Sequence, residues 1–117
     1  MSNHGGEVGK ERADLLQGTL DLLVLRVLRS EELHGWGISK RIRQLSDEVL
    51  EVNQGSLYPA LYRLRDRGLI EGSWGVSPEG RRARFYRLTA KGRQAVAAEH
   101  ESWQLFTAAV NRVIEAT

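Results

Sequence analysis

The hydrophobic period of this chain changes at Gly68. Before that residue apolar side chains recur at helical spacing, and after it they alternate along two short runs until Thr89, where a helical pattern resumes. A two-stranded hairpin is not stable alone in water, so in a chain of 117 residues it must pack on the helices that flank it. The order is therefore three helices, one hairpin and a last helix.

The first helix spans Leu15 to Leu28, where LLQGTLDLLVLRVL is apolar almost all round, as in a helix buried inside a small domain. Gly18 and Thr19 mark either a cap or a bend within it. Gly35 and Gly37 punctuate the chain before a second, amphipathic helix from Ile38 to Leu45, with Ile38, Ile42 and Leu45 on one face and Lys40, Arg41 and Arg43 on the other. In the third helix Leu57, Leu61 and Leu64 share a stripe, and Gly68 stops it. Proline is comfortable in the first turn, where its missing N–H has no partner to lose. Pro59 therefore favours Ser56 as the N-cap, while Asn53 takes that role if the first turn is distorted.

Two strands follow, Leu69 to Gly75 and Arg84 to Leu88, separated by the loop VSPEGRRA with its turn residues Pro78 and Gly80. Thr89 caps a last helix from Ala90 to about Ala116, roughly 40 Å long. Along it Val96, Trp103, Phe106, Val110 and Val113 are spaced seven, three, four and three, a heptad seam that a lone domain would leave open to water. A second copy of the chain is the expected cover, which makes these five residues the dimerisation set. Residues 1–13 read as a flexible arm, because MSNHGGEVG has little apolar surface to offset its ordering entropy.

Charge is distributed unevenly. The net charge is only +2, yet residues 76–93 carry six cations against Glu79 alone, a local +5, while residues 31–55 and 94–117 are each −2. A polyanion is bound by the patch it meets and not by the average surface. The absence of Cys excludes disulfides, thiolate zinc sites and a cysteine nucleophile. The histidines His4, His34 and His100 have no ligand spacing, so no metal and no cofactor are expected, and His34 reads as a structural turn residue. No nucleophile elbow, phosphate loop or acid pair points to an enzyme. The longest aliphatic run, Leu22 to Leu25, is far too short to span a bilayer, and the expected location is cytoplasmic.

Three helices followed by an arginine-tipped hairpin give a mainly α fold with a small β-hairpin. The expected layout is a winged helix-turn-helix domain over residues 14–89 and a long C-terminal dimerisation helix over 90–117. In this arrangement the third helix enters a major groove while the wing reaches adjacent backbone or minor groove. The candidate DNA contacts are Gln54, Ser56, Tyr58, Pro59, Tyr62 and Arg63 of the third helix, Arg81, Arg82 and Arg84 of the wing, and Lys40, with Arg43, of the second helix. Each has a plainer reading: Ser56 as a cap, Tyr58 and Pro59 as core contacts, Gln54 as an exposed turn residue. Three arginines at a Gly-containing tip have little structural use and lose no core when they leave water for phosphate.

The stretch QGSLYPALYRLRDRGLI (54–70), the segment from Gly80 to Thr89 with Gly92 after it, and GTLDLLVL with Leu33-His34-Gly35 resemble the PadR family of bacterial transcriptional regulators. The resemblance covers residues 15 to 106, with Trp36 at a position where tyrosine is common. It implies a homodimer held by a single C-terminal helix, palindromic operators and, usually, repression. Short multidrug sensors of that family carry a tryptophan after a Glu-Ser pair, as in Glu101-Ser102-Trp103 here, so Trp103 is read two ways: an anchor of the dimer core, or a platform for a small, flat, hydrophobic effector. The rival function is a winged-helix protein-interaction or ligand-sensor module without sequence-specific DNA binding. The cationic wing weighs against it, because docking surfaces for proteins are more apolar or mixed in charge.

Overall fold

The computed structural model describes residues 18–116. The arm expected over residues 1–13 and the helix start expected at Leu15 lie outside the described residues. Residues 18–30 form helix α1, so Gly18 and Thr19 sit inside the helix and not at a cap. The elements that follow are β1 (Leu33–His34), α2 (Gly35–Leu45), α3 (Gln54–Asp66), β2 (Ile70–Val76), β3 (Arg82–Leu88) and α4 (Ala90–Ala116).

Several boundaries differ from the sequence expectation. Helix α2 begins at Gly35 and takes both glycines into its first turn. Close packing is the reason: a Cβ at Gly35 would stand 3.1 Å from the Tyr58 hydroxyl, and one at Gly37 would stand 3.0 Å from the His34 ring. Helix α3 begins at Gln54, capped by Asn53, whose side chain accepts from the Ser56 N–H at 2.8 Å. Ser56 is therefore not the cap, and Pro59 lies in the second turn, where its ring deprives the Gly55 carbonyl of a helical donor. The strands also run further than expected, through Val76 and from Arg82, which shortens the tip to residues 77–81.

The sheet has the order β1-β3-β2, all antiparallel. The two-residue strand β1, too short to show an alternating pattern, pairs Leu33 with Tyr86 and His34 with Phe85 and so covers one edge of β3. The His34 ring stacks on Phe85 with centroids 5.1 Å apart, a structural position in a strand instead of a turn. Across the hairpin Ile70 faces Leu88, Gly72 faces Tyr86, Trp74 faces Arg84 and Val76 faces Arg82. Directly opposed residues share a face, so one face starts apolar at the base and becomes cationic towards the tip. Its base, Ile70, Tyr86 and Leu88, joins Leu25, Ile38, Leu57 and Leu64 in a single core.

Helix α4 leaves this core after two turns. Val96 is 3% exposed and packs in the domain's own core, which removes it from the dimer seam on which its spacing had placed it. Gly92 is buried against the turn after α3, where a Cβ would enter the van der Waals shell of the Leu69 carbonyl oxygen. Beyond residue 100 the large apolar side chains of α4, Trp103, Leu105, Phe106, Val110, Val113 and Ile114, are all exposed. At 100° per residue Ile114 joins Trp103, Phe106, Val110 and Val113 in one stripe about 100° wide, whereas Leu105 lies on the opposite side. Among the described residues no helix is long and apolar enough to cross a membrane.

Because the Gly92 Cβ would meet backbone and not a movable side chain, Gly92→Ala is expected to cost about 2–3 kcal/mol. In thermal denaturation the midpoint should fall by about 10 °C.

Candidate nucleic-acid interface

Helix α3 has four sides. Leu57, Ala60, Leu61 and Leu64 bury one side. On one shoulder Gln54 and Tyr58 meet α2: the Gln54 Nε2 donates to the Ser39 hydroxyl at 3.3 Å, and the Tyr58 phenol lies over Gly35. The paired positions 54 with 39 and 58 with 35 set the crossing of α3 on α2. Gln54 is thus a tether between the helices, and the hydroxyl end of Tyr58 turns towards the protein although the residue remains 53% exposed. Tyr62 and Arg65 continue this row outward, with the Arg65 guanidinium 5.1 Å from the Tyr62 ring centroid.

Ser56 and Arg63 occupy the other shoulder. Position 63 lies about 100° around the helix from Tyr62, and its guanidinium binds Asp21 of α1 through Nη2 at 2.8 Å and Nε at 3.5 Å. Arg63, expected on the groove side, thus has its charge matched within the domain while staying partly exposed. Ser56 borders a shallow apolar groove against Leu20 and Leu23 of α1. Gly55, Pro59 and Asp66 form the ridge opposite the core, so Pro59 is exposed and not a core contact.

On α2, Lys40 stands beside Trp36 and Arg43 on a groove of about 380 Å³ that runs along Val52 and Asn53. Among the described residues Lys40 has no carboxylate partner, whereas Arg43 has two, Glu48 and Glu51, each at 3.6 Å. Those pairs steady the turn after α2, where Asp47 and Glu48 adopt positive φ of 51° and 67° at a cost of about 1–2 kcal/mol each.

The wing closes through Ser77: its N–H donates to the Arg81 carbonyl at 2.7 Å, and its hydroxyl accepts from the Arg81 N–H at 3.2 Å. Gly80, at φ 80°, supplies the left-handed residue of this tight tip. Arg81 and Arg82 are exposed and form no ion pair among the described residues. Arg84 is half-buried, with its guanidinium across Gly72 and its Nε without a hydrogen-bond partner. The expectation that all three arginines lack structural use is corrected for Arg82 and Arg84, whose guanidinium carbons lie 4.4 and 5.8 Å from the Trp74 ring centroid. On the opposite face Arg87 is bound to Glu71 at 2.8 Å.

Sequence reasoning missed Asp21, Ser39 and Trp74. Asp21 had a signal, as the one carboxylate in an otherwise apolar run. Trp74 had none until the length of the tip fixed which arginines stand across from it.

The sequence profile of the transcriptional regulator PadR-like family matches residues 24–98. A transcriptional regulator of Mycobacterium tuberculosis is 33% identical over 81 residues, 69% of this chain and 72% of that protein. Among solved structures, a transcriptional regulator from Clostridium thermocellum superposes with a TM-score of 0.75 at 30% identity, over 85% of this chain and 93% of its own. A PadR-like transcriptional regulator from Bacillus cereus gives 0.71 at 29% identity, over 86% and 96%.

The two possible caps of α3 are separable by stability. Asn53→Ala should cost about 1 kcal/mol, and Ser56→Ala should change little, within about 0.5 kcal/mol, in chemical denaturation. The reverse order would restore Ser56 as the cap.

Proposed function

The chain belongs to the PadR-like family of transcriptional regulators, and from that membership we propose a homodimeric repressor that occupies a palindromic operator through α3 and the wing and is released by a small aromatic effector. It is a DNA-binding regulator and not an enzyme. The observation that carries the finer reading is the division of its cations. Arg43, Arg63 and Arg87 are matched by carboxylates, while Lys40, Arg65, Arg81 and Arg82 have no carboxylate partner among the described residues. These four lie on α2, α3 and the wing, the three elements that a winged helix brings to DNA, and they stand beside further cations unmatched among the described residues on α1 (Arg26, Arg29) and α4 (Arg93, Arg112). Phosphate neutralisation by such cations releases counterions and dominates affinity. Of the candidate contacts on α3, Gln54, Ser56, Tyr58, Pro59 and Tyr62 remain exposed, and Gln54 and Arg63 also serve as struts that orient the helix.

The exposed stripe of α4 supports the dimer. Trp103, Phe106 and Val110 project from a helix that has already left its own domain, and a two-fold partner helix would cover them. Trp103 remains 38% exposed beside Phe106, with ring centroids 6.2 Å apart. Two such pairs across a two-fold axis would form an aromatic slot. A flat compound entering it would move the two α4 helices and, with them, the spacing of the two reading heads. Linkage then requires the effector to bind the DNA-bound dimer more weakly by the factor with which it weakens DNA binding.

The DNA reading is tested with a duplex selected by the protein from a random library. Replacing Arg81 and Arg82 together with Ala should weaken binding and lower the slope of log K against log salt by about one unit per lost phosphate contact. Equal slopes would take the wing out of the interface.

For the dimer, sedimentation of the full chain should give two copies, and Val110→Glu should give one by placing a charge at the centre of the seam. A planar dye titrated by fluorescence should lose affinity in Trp103→Ala while the dimer persists, with Trp36 and Trp74 supplying the background emission. Unchanged dye affinity in a dimeric Trp103→Ala would remove the effector role.

A further inference from the structure

Trp74 is 58% exposed on β2, so it is not a core residue, and its neighbours are cations. The hairpin register sets Arg84 directly across from it and Arg82 diagonally across, one pair nearer the tip. All three share the face that continues outward from Ile70, Gly72 and Tyr86. Arg82 reaches over the indole at 4.4 Å from its centroid, and Arg84 at 5.8 Å. The absent side chain of Gly72 leaves the space in which the Arg84 guanidinium lies, since a Cβ there would collide with its Nε and crowd its Cζ and Nη2.

We infer that Trp74 is a positioning residue for DNA binding, whose indole holds the Arg82 and Arg84 guanidinium groups on one face of the wing before DNA arrives. The inference rests on the wing contacting DNA. Its physical basis is the kind of partner that the arginines have. A carboxylate would also fix a guanidinium, but it would cancel the charge that phosphate needs and would have to be displaced. An aromatic face attracts the cation through its quadrupole and leaves the full positive charge available. Of the nearby acids, Glu71 is paired with Arg87 on the other face, and among the described residues no carboxylate lies within ion-pair distance of Arg82 or Arg84. Arginines ordered in advance lose less rotamer freedom on binding, and the gain appears as affinity without any additional phosphate contact.

The test compares Trp74→Leu, Trp74→Phe and Arg82→Ala with the wild-type protein on the same selected duplex across a range of salt. Trp74→Leu keeps an apolar side chain but loses the quadrupole, and should weaken binding about two- to five-fold for each arginine released with the salt slope unchanged. Trp74→Phe should retain most of the affinity. Arg82→Ala should lower the slope by about one. In nitrogen-edited NMR the Arg82 Nε–H, shifted by the ring current in the wild type, should return to its free position in Trp74→Leu, which a loss of hairpin stability alone would not produce in a folded variant.

Wild-type affinity in Trp74→Leu, with Arg82→Ala impaired, overturns the positioning role and leaves the wing in place. A slope that falls by a unit in Trp74→Leu also overturns it, because a contact and not its geometry would then have been lost. Wild-type binding in Arg82→Ala and in the Arg81, Arg82 double variant overturns the wing reading itself.

Discussion

The turn at residues 67–69 is held from two sides. The Thr89 hydroxyl donates to the Gly68 carbonyl at 2.6 Å and accepts from the Gly92 N–H at 3.0 Å, while the Thr89 N–H donates to the Leu69 carbonyl at 3.1 Å. Lys91 adds a bond to the Arg67 carbonyl at 2.9 Å. One threonine thus caps α4 and fastens it to the end of α3 and the start of β2. Gly68, at φ 74°, permits the sharp exit from α3, and Gly92 permits the approach of α4 to within backbone contact. Helices α3 and α4 therefore share one clamp. On the proposed reading, in which α4 pairs with a second copy and α3 meets DNA, a shift of α4 is passed to the end of α3 through these bonds.

The rest of the domain supports this clamp by fixing α3 on its other sides. Asp21 binds Arg63 from α1, Ser39 binds Gln54 from α2, and Gly35 receives Tyr58. Each of these contacts uses a residue whose type alone suggests nucleic-acid binding. Beside them on α3, Ser56, Pro59 and Tyr62 stay exposed, and Tyr58 keeps half of its surface open. A similar division governs the arginines. Those near a carboxylate stabilise turns and strands, and those that face an aromatic ring or water keep their charge.

The winged arrangement was legible because each element leaves a local signature. The change of period at Gly68 separates helices from hairpin, Thr89 stands where a cap is needed, and α4 runs from Ala90 to Ala116 as its pattern predicts. The family resemblance rests on the same local stretches. What sequence pattern could not supply were the residues whose position depends on something distant. Strand β1 has two residues and exists only because the edge of β3 is there to pair with. Gly35 reads as a break, yet it lies within α2, where the Tyr58 ring of α3 occupies the space that a side chain would fill.

By itself the sequence determined the order of the helices and the hairpin, the period of each and the concentration of positive charge in residues 76–93, since these depend on neighbours within a few positions. Only the tertiary structure decided which charges are free and which apolar residues are already used. Val96 has the spacing of the seam but is consumed by its own core, Arg63 has the charge of a phosphate contact but is bound by Asp21, and Trp74 acquires its meaning from two arginines on the next strand. Hydrophobic burial and ion pairing act through space, and the partner that satisfies a side chain is set by how the elements pack, not by how the residues follow one another.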